Sequence, residues 1–290
     1  MDLSNSQTIH ALLSRHGFTF QKQLGQNFLI NPTVCPRMAE ACGAAKDSGV
    51  LEIGPGIGIL TVELAQRAKK VCSIELDRRL LPVLAETLQP YRNVDVVQGD
   101  AMKLPLHTLL QQEFPDMRIA VCANLPYYIT SPLIMKLLED RLPISSLTVM
   151  VQKEAGERLC AKPGTRACGA VSAAVWYYAE PKLLFPVGRS SFLPSPKVDS
   201  AVIQLQVRST PPVTPRSEAF FFRTVRAAFG QRRKAAANAV SAGLSVPKKT
   251  VQEALQEISA PPTVRAEQLT LEQLADLSNL LYEKQSFCSL

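Results

Sequence analysis

The stretch Asn124-Leu125-Pro126-Tyr127 directly follows the apolar run 119–123, so a strand delivers an amide, a proline and an aromatic ring at its carboxyl end. Those residue types suit methylation of an exocyclic amine on a flat base. The lone pair of such an amine is delocalised into the ring. It attacks only when acceptors hold both N–H groups and orient the nitrogen toward a donor carbon. The Asn124 side-chain oxygen and the carbonyl before Pro126 supply two acceptors. Pro126 fixes φ and removes a competing N–H, and Tyr127 offers a face for stacking. A turn that merely closes a strand uses the same four residues, so the reading depends on what stands at the other strand ends.

Three further strand ends carry suitable groups. Gly54-Pro55-Gly56-Ile57-Gly58 lies between the apolar run 50–53 and a helical pattern over 60–68. Glycine allows close approach of backbone to a ligand, and such a turn belongs at the nucleotide-binding switch point of a wound sheet. The dinucleotide fingerprint wants Gly or Ala at position 59, where this chain has Ile59, which argues against NAD and for another adenosine ligand. Glu75 ends the second strand, 21 residues after Gly54, where a carboxylate can accept both ribose hydroxyls. Asp100 follows the third strand and can accept an adenine amine. A simple tight turn and solvated strand-end acids explain each feature singly. Jointly with Asn124 they point to an amine methyltransferase that uses S-adenosylmethionine.

The elements that must position these groups alternate along the chain. Segments 50–53, 71–75, 94–98, 119–123 and 147–152 read as strands covered on both faces, with helices at 60–68, 80–88 and 133–138 between them. Alternation of this kind predicts a parallel, doubly wound sheet. Residues 170–178 and 200–207 read as two more strands at an antiparallel edge. Residues 10–16 form a short helix and 21–27 a polar loop. The expected fold is α/β, a Rossmann-like catalytic sheet over 1–208 with an N-terminal arm over 1–30. A Pro-rich linker at 209–217 and an all-helical domain over 218–290 complete it, with helices at 218–243, 249–258 and 271–284.

Charge points to a partner. The chain of 290 residues carries a net +7, and between Arg216 and Lys249 eight cations face a single acid, Glu218, so this segment holds the whole excess. Phosphate is the matching polyanion. On a helix Arg223, Arg226 and Arg233 share one face, with Arg232 and Lys234 adjoining. Phe222, Val225 and Phe229 lie beside that face and are expected to pack on the catalytic domain. Three histidines and seven cysteines show neither zinc spacing nor a Cys-x-x-Cys pair, so no metal and no disulfide scaffold are expected. No apolar run approaches a membrane span, and Met1-Asp2-Leu3-Ser4 lacks a signal pattern, so a cytoplasmic location without membrane contact is expected.

Five motifs occur in one family's order: 24–29 (Leu-Gly-Gln-Asn-Phe-Leu), the Gly54 turn, Asn124-Leu-Pro-Tyr127, Phe192-Leu-Pro-Ser-Pro-Lys-Val-Asp-Ser200 and Phe229-Gly-Gln-Arg-Arg-Lys234. From about residue 10 to 285 the chain resembles the ribosomal RNA adenine N6,N6-dimethyltransferases, specifically those of the bacterial small subunit, the kasugamycin-sensitivity family. The resemblance implies S-adenosylmethionine as methyl donor and two adjacent adenines in a 3′-terminal hairpin of 16S rRNA as target. It implies cofactor contacts from Asn27, Leu29, Gly54, Gly56, Glu75, Asp100 and Asn124. It also implies an adenine held between Tyr127 and Phe192, and a monomeric enzyme with rRNA as partner. Two departures stand out: Asn31 replaces a usual Asp, and Ala235-Ala236 replaces a common Thr-Leu. Rival readings are a 23S rRNA adenine methyltransferase, a DNA adenine methyltransferase, disfavoured by Leu125, and a ribosome-assembly factor without catalysis.

Overall fold

The computed structural model describes residues 1, 3, 5–21, 25–231 and 233–287. The chain divides into two compact units, Met1–Gly156 with Pro181–Val207, and Glu157–Glu180 with Arg208–Leu290.

In chain order the strands are β1 (Phe28–Leu29), β2 (Ser48–Ile53), β3 (Lys70–Glu75), β4 (Val94–Gln98), β5 (Arg118–Asn124), β6 (Ile144–Gln152), β7 (Ala179–Val187), β8 (Phe192–Leu193) and β9 (Ser200–Val207). Seven of them form one sheet in the order β4-β3-β2-β5-β6-β9-β7. Pairs from β4 through β6 are parallel, and β9 runs antiparallel to β6. Chain progression runs outward from β2 through β3 to β4, then returns to β5 on the other side. That reversal leaves a crevice at the carboxyl ends of β2 and β5, the place where wound sheets bind ligands. Every residue of β2 is buried, as two-sided cover requires, whereas β4 is an edge strand only partly covered.

Helices α1 (Ser6–Arg15), α2 (Val34–Ala41), α3 (Ile59–Arg67), α4 (Leu81–Thr87), α5 (Leu106–Glu113) and α6 (Thr130–Glu139) belong to this unit. Helix α1 starts earlier than its apolar pattern suggests, because the Asn5 side chain accepts the Gln7 and Thr8 N–H groups. Its buried face, Ile9, Leu12 and Leu13, packs with Phe18, Phe28 and the α4 residues Val83 and Leu84. Burying each such side chain contributes roughly 1.5–3 kcal/mol, enough to hold the N-terminal arm on the sheet unit. The arm is tied a second time by antiparallel pairing of β1 with β8, Phe28 opposite Leu193 and Leu29 opposite Phe192.

Helix α7 (Lys153–Cys160) spans the division, and α8 (Ala170–Tyr178), α9 (Glu218–Phe229), α10 (Ala236–Leu244), α11 (Lys248–Glu257) and α12 (Leu271–Phe287) build the second unit. Residues 170–178 therefore form a helix, not the strand expected. A short apolar run has no period that separates a buried strand from a buried helix. Here the Gly169 N–H donates to Ser172 Oγ at 3.0 Å and starts a turn that the alanines continue. The strand that joins β9 is β7, whose Pro181 and Pro186 disguise it; as the last strand of the sheet it has one unpaired edge that tolerates proline.

The helix expected over 218–243 is also divided, with α9 ending at Phe229 and α10 beginning at Ala236. Arg233 and Lys234 thus lie in the intervening turn and do not continue the α9 face of Arg223 and Arg226. Arg232 lies outside the described residues. Phe222 stacks on Tyr178 at 5.4 Å, both within the second unit, although Tyr178 falls inside the 1–208 range expected for the catalytic domain.

Candidate active site

The turn 54–58 is held open by backbone geometry. Gly54 and Gly56 sit at φ 72° and 61°, a region that side-chain-bearing residues rarely adopt. A Cβ on Gly56 would lie 3.1 Å from the Phe28 ring, so glycine is also needed there for the arm to close over the turn. The Gly54 N–H donates to the Ile74 carbonyl at 2.9 Å, which sets the turn beside the end of β3.

Glu75 is the last residue of β3 and is buried. Its Oε1 accepts the Asp77 N–H at 2.7 Å and its Oε2 the Gly56 N–H at 3.3 Å. Burial pushes this carboxyl up to about 7, with the backbone donors of Asp77 and Gly56 opposing. Glu52, on β2, is buried too and is pushed up to about 7 by desolvation. Its Oε2 accepts from Thr61 Oγ1 at 2.7 Å and Ser73 Oγ at 2.6 Å, while Oε1 has no partner among the described residues. Asp100 caps the turn after β4 by accepting the Met102 N–H at 2.9 Å.

Asn124 closes β5. Its Nδ2 donates to the Asn27 carbonyl of the N-terminal arm at 3.4 Å, and its Oδ1 accepts no hydrogen bond among the described residues. The Leu125 N–H donates to the Met150 carbonyl at 3.1 Å, and among the described residues the Leu125 carbonyl accepts no hydrogen bond. Two acceptors uncommitted among the described residues therefore belong to consecutive residues that both line the cleft. Tyr127 is half-buried, and its hydroxyl shares a hydrogen bond of 2.7 Å with Ser200 Oγ, which fixes the ring. Burial raises the tyrosine pKa, so the group stays neutral. Phe192 is only 3% exposed; it belongs to the core cluster and also faces the cleft.

One cleft is lined by all ten residues expected at the catalytic and cofactor sites: Asn27, Leu29, Gly54, Gly56, Glu75, Asp100, Asn124, Pro126, Tyr127 and Phe192. Among the other lining residues, Gln26, Glu52, Leu76 and Tyr128 carry no site role in the sequence reading. Leu76 and Tyr128 are 44% and 54% exposed, large apolar surface that a flat ligand would cover. The only sequence signals were an acid inside the apolar strand for Glu52 and a doubled tyrosine for Tyr128. Glu52, Glu75 and Asp100 line the cleft with no Lys, Arg or His among the described lining residues. Such a wall suits a cationic adenosine ligand and opposes an anionic dinucleotide. S-adenosylmethionine, with its sulfonium and ammonium charges, fits these residues.

Asn31 has a structural account. Its Oδ1 accepts the Thr33 N–H at 3.0 Å and its Nδ2 donates to Ser191 Oγ at 3.1 Å, so the amide joins the start of α2 to the residue before Phe192. An aspartate could keep the first bond but would need Ser191 as the donor for the second. Arg223 and Arg226 are exposed on α9, and Arg233 and Lys234 in the turn after it. None of the four forms an ion pair among the described residues. With Gly230, Gln231 and Gly243, the two α9 arginines border a shallow groove of the helical unit.

A wound sheet with a glycine turn, strand-end carboxyls and paired acceptors beside an aromatic ring defines a Rossmann-like, S-adenosylmethionine-dependent amine methyltransferase. The ribosomal RNA adenine dimethylase family model matches residues 17–283, and the chain belongs to that family of methylating enzymes. The chain is 46% identical to ribosomal RNA small subunit methyltransferase A of Geobacillus sp. (strain WCH70), over 97% of this chain and 98% of the relative. It is 45% identical to the protein of that name from Bacillus mycoides (strain KBAB4), over 97% of each. Among solved structures, a dimethyladenosine transferase from Plasmodium falciparum superposes with a TM-score of 0.70 at 28% identity, covering 89% of this chain and 98% of that one. The 23S rRNA methyltransferase ErmE gives 0.69 at 29% identity, covering 88% and 100%. Among the described residues no helix is long and apolar enough to cross a membrane.

Proposed function

We propose that this chain methylates N6 of two adjacent adenines in a 3′-terminal hairpin of 16S rRNA, twice on each base, during small-subunit assembly in the cytoplasm. The observation that carries this reading is the pair of free acceptors, Asn124 Oδ1 and the Leu125 carbonyl, in a chain 46% identical to a small-subunit methyltransferase. The large-subunit reading has weaker support, since ErmE is 29% identical.

S-adenosylmethionine supplies an electrophilic methyl group on a cationic sulfur. The chain's own residues provide position and electrostatics. In the first transfer Asn124 Oδ1 and the Leu125 carbonyl accept the two adenine N–H groups, and in the second one of them accepts the single N–H that remains. Each time they turn the nitrogen lone pair out of the ring and favour the positive charge that develops on it until its proton is lost to solvent. Tyr127 stacks on the extruded base, its ring locked through Ser200, and Phe192 bounds the opposite side. Glu75 accepts the ribose hydroxyls and Asp100 the adenine amine of the cofactor, with Asn27, Leu29, Gly54 and Gly56 closing around it. No metal ion and no covalent enzyme intermediate take part. The catalytic domain, expected over 1–208, is cut back to Met1–Gly156 with Pro181–Val207, since Glu157–Glu180 belongs to the helical unit, and 209–217 serves as a linker. Residues 218–290 grip rRNA phosphates through Arg223, Arg226, Arg232, Arg233 and Lys234, and the enzyme works as a monomer.

The test uses tritiated cofactor with undermethylated small subunits, large subunits and DNA, followed by mapping of the labelled base. Label in dimethyladenosine of the small subunit is expected, and it should vanish for Asn124→Ala while the variant still binds cofactor. Label confined to large subunits or DNA, or near-normal turnover by a folded Asn124→Ala protein, would overturn the reading.

A further inference from the structure

Two residues that take no part in the chemistry above link its two ends. Asp77 lies two positions after Glu75, and its backbone N–H is the 2.7 Å donor to Glu75 Oε1. Its side chain accepts the Arg79 Nε at 2.9 Å and the Gln26 Nε2 at 2.8 Å. Arg79 in turn donates to the Thr19 carbonyl at 3.1 Å and lies 4.9 Å from the Phe18 ring centre. Gln26 accepts the Gln21 N–H at 3.0 Å and precedes Asn27, whose carbonyl holds Asn124 Nδ2. One chain of contacts therefore runs from the carboxylate at the end of β3, through Asp77 and Gln26 of the arm, to the amide at the end of β5.

We infer that Gln26 and Asp77 are positioning residues: their hydrogen bond holds the arm at residues 25–27 so that the Asn27 carbonyl orients the Asn124 amide toward the adenine amine. The inference rests on the proposed role of Asn124. Without the Asn27 carbonyl, the Asn124 amide could rotate and present Nδ2 where an acceptor is required. The ionic partner makes Asp77 a rigid acceptor, since Arg79 holds it from two sides while Gln26 approaches from the arm. Asp77 also serves Glu75 only through its backbone, so changing Gln26 leaves the β3 corner intact. Because Asn27 also closes around the cofactor, a defect in Gln26 should lower turnover more strongly than it lowers cofactor affinity.

The experiment compares Gln26→Ala with the double variant Gln26→Glu/Asp77→Asn, which exchanges donor and acceptor across the same contact. The amide oxygen introduced by Asp77→Asn can still accept the Arg79 backbone N–H and Nε, while Arg79 Nη2, which now donates to Asp77 Oδ2, must turn to the carboxylate introduced at position 26. Turnover on small subunits, cofactor Kd by calorimetry and Tm are measured for each. For Gln26→Ala, kcat should fall by about tenfold or more, because small misplacements of aligned groups carry penalties of that size. Cofactor Kd should stay within about threefold, and the double variant should recover most of the lost kcat. Unchanged kcat in Gln26→Ala would overturn the inference. So would a parallel tenfold loss of cofactor affinity, or a double variant as slow as Gln26→Ala at the wild-type Tm. Asn124→Ala separates the two levels: if it stays active, the role of Asn124 is wrong, and if it is dead while Gln26→Ala is fully active, only the positioning role is wrong.

Discussion

Replacing Glu75 by Gln keeps the shape of the side chain and removes the charge, which isolates what the carboxylate contributes to cofactor binding. In the wild type Oε1 and Oε2 already accept the Asp77 and Gly56 N–H groups, and the remaining lone pairs are available to ribose hydroxyls. The amide can still accept from Asp77, but its NH2 meets the Gly56 N–H, donor against donor. Hydrogen bonds to a charged group contribute roughly 1.5–3 kcal/mol, so cofactor Kd should rise about 10- to 150-fold at pH 8. Burial adds a pH signature, because it pushes the Glu75 carboxyl up to about 7. For a raised carboxyl the free protein holds the proton below that value, and ionisation must precede ribose binding. Wild-type affinity should therefore strengthen about tenfold between pH 6 and 8 and then level off, whereas the Glu75→Gln protein should be nearly flat. Glu52 titrates in the same range and broadens the wild-type curve, so Glu52→Gln serves as a control. Calorimetry across pH 5.5–8.5 (about three units around the titration) makes the comparison. Equal affinity of both proteins at pH 8, or the same pH slope in both, would refute the ribose-binding role.

Two predictions concern the helical unit. Replacing Arg226, Arg233 and Lys234 with Ala should weaken small-subunit binding, leave cofactor affinity unchanged and flatten the slope of log affinity against log salt by about two to three units; binding measured over a salt series checks this, and an unchanged slope refutes it. Ala235 occupies the N-cap of α10 and makes no side-chain cap bond, so Ala235→Thr, the residue that the family resemblance suggests, should raise stability by about 1 kcal/mol; a Tm at or below wild type would refute it.

What the sequence determined alone follows from short-range physics. Glu75, Asp100 and Asn124 sit where apolar runs stop, so they could be assigned to strand ends without knowing any contact. The glycines of the turn 54–58 announce backbone conformations that are a property of the residue itself. The order of the five motifs carries the family. Tertiary structure decided what depends on partners far along the chain. Residues 170–178 have no period to distinguish helix from strand, and their helix is settled by Ser172 at its start and by packing against Phe222. The prolines of β7 read locally as strand breakers and are tolerated because β7 lies at a sheet edge. Two-residue strands such as β1 and β8 leave no pattern at all, yet their pairing brings Leu29 beside Phe192. The Gln26–Asp77 contact spans 51 positions, and Asn124 reaches 97 positions back to Asn27. Local patterning encodes period and turn chemistry, but a hydrogen bond between residues so distant exists only once the sheet and the arm have closed around it.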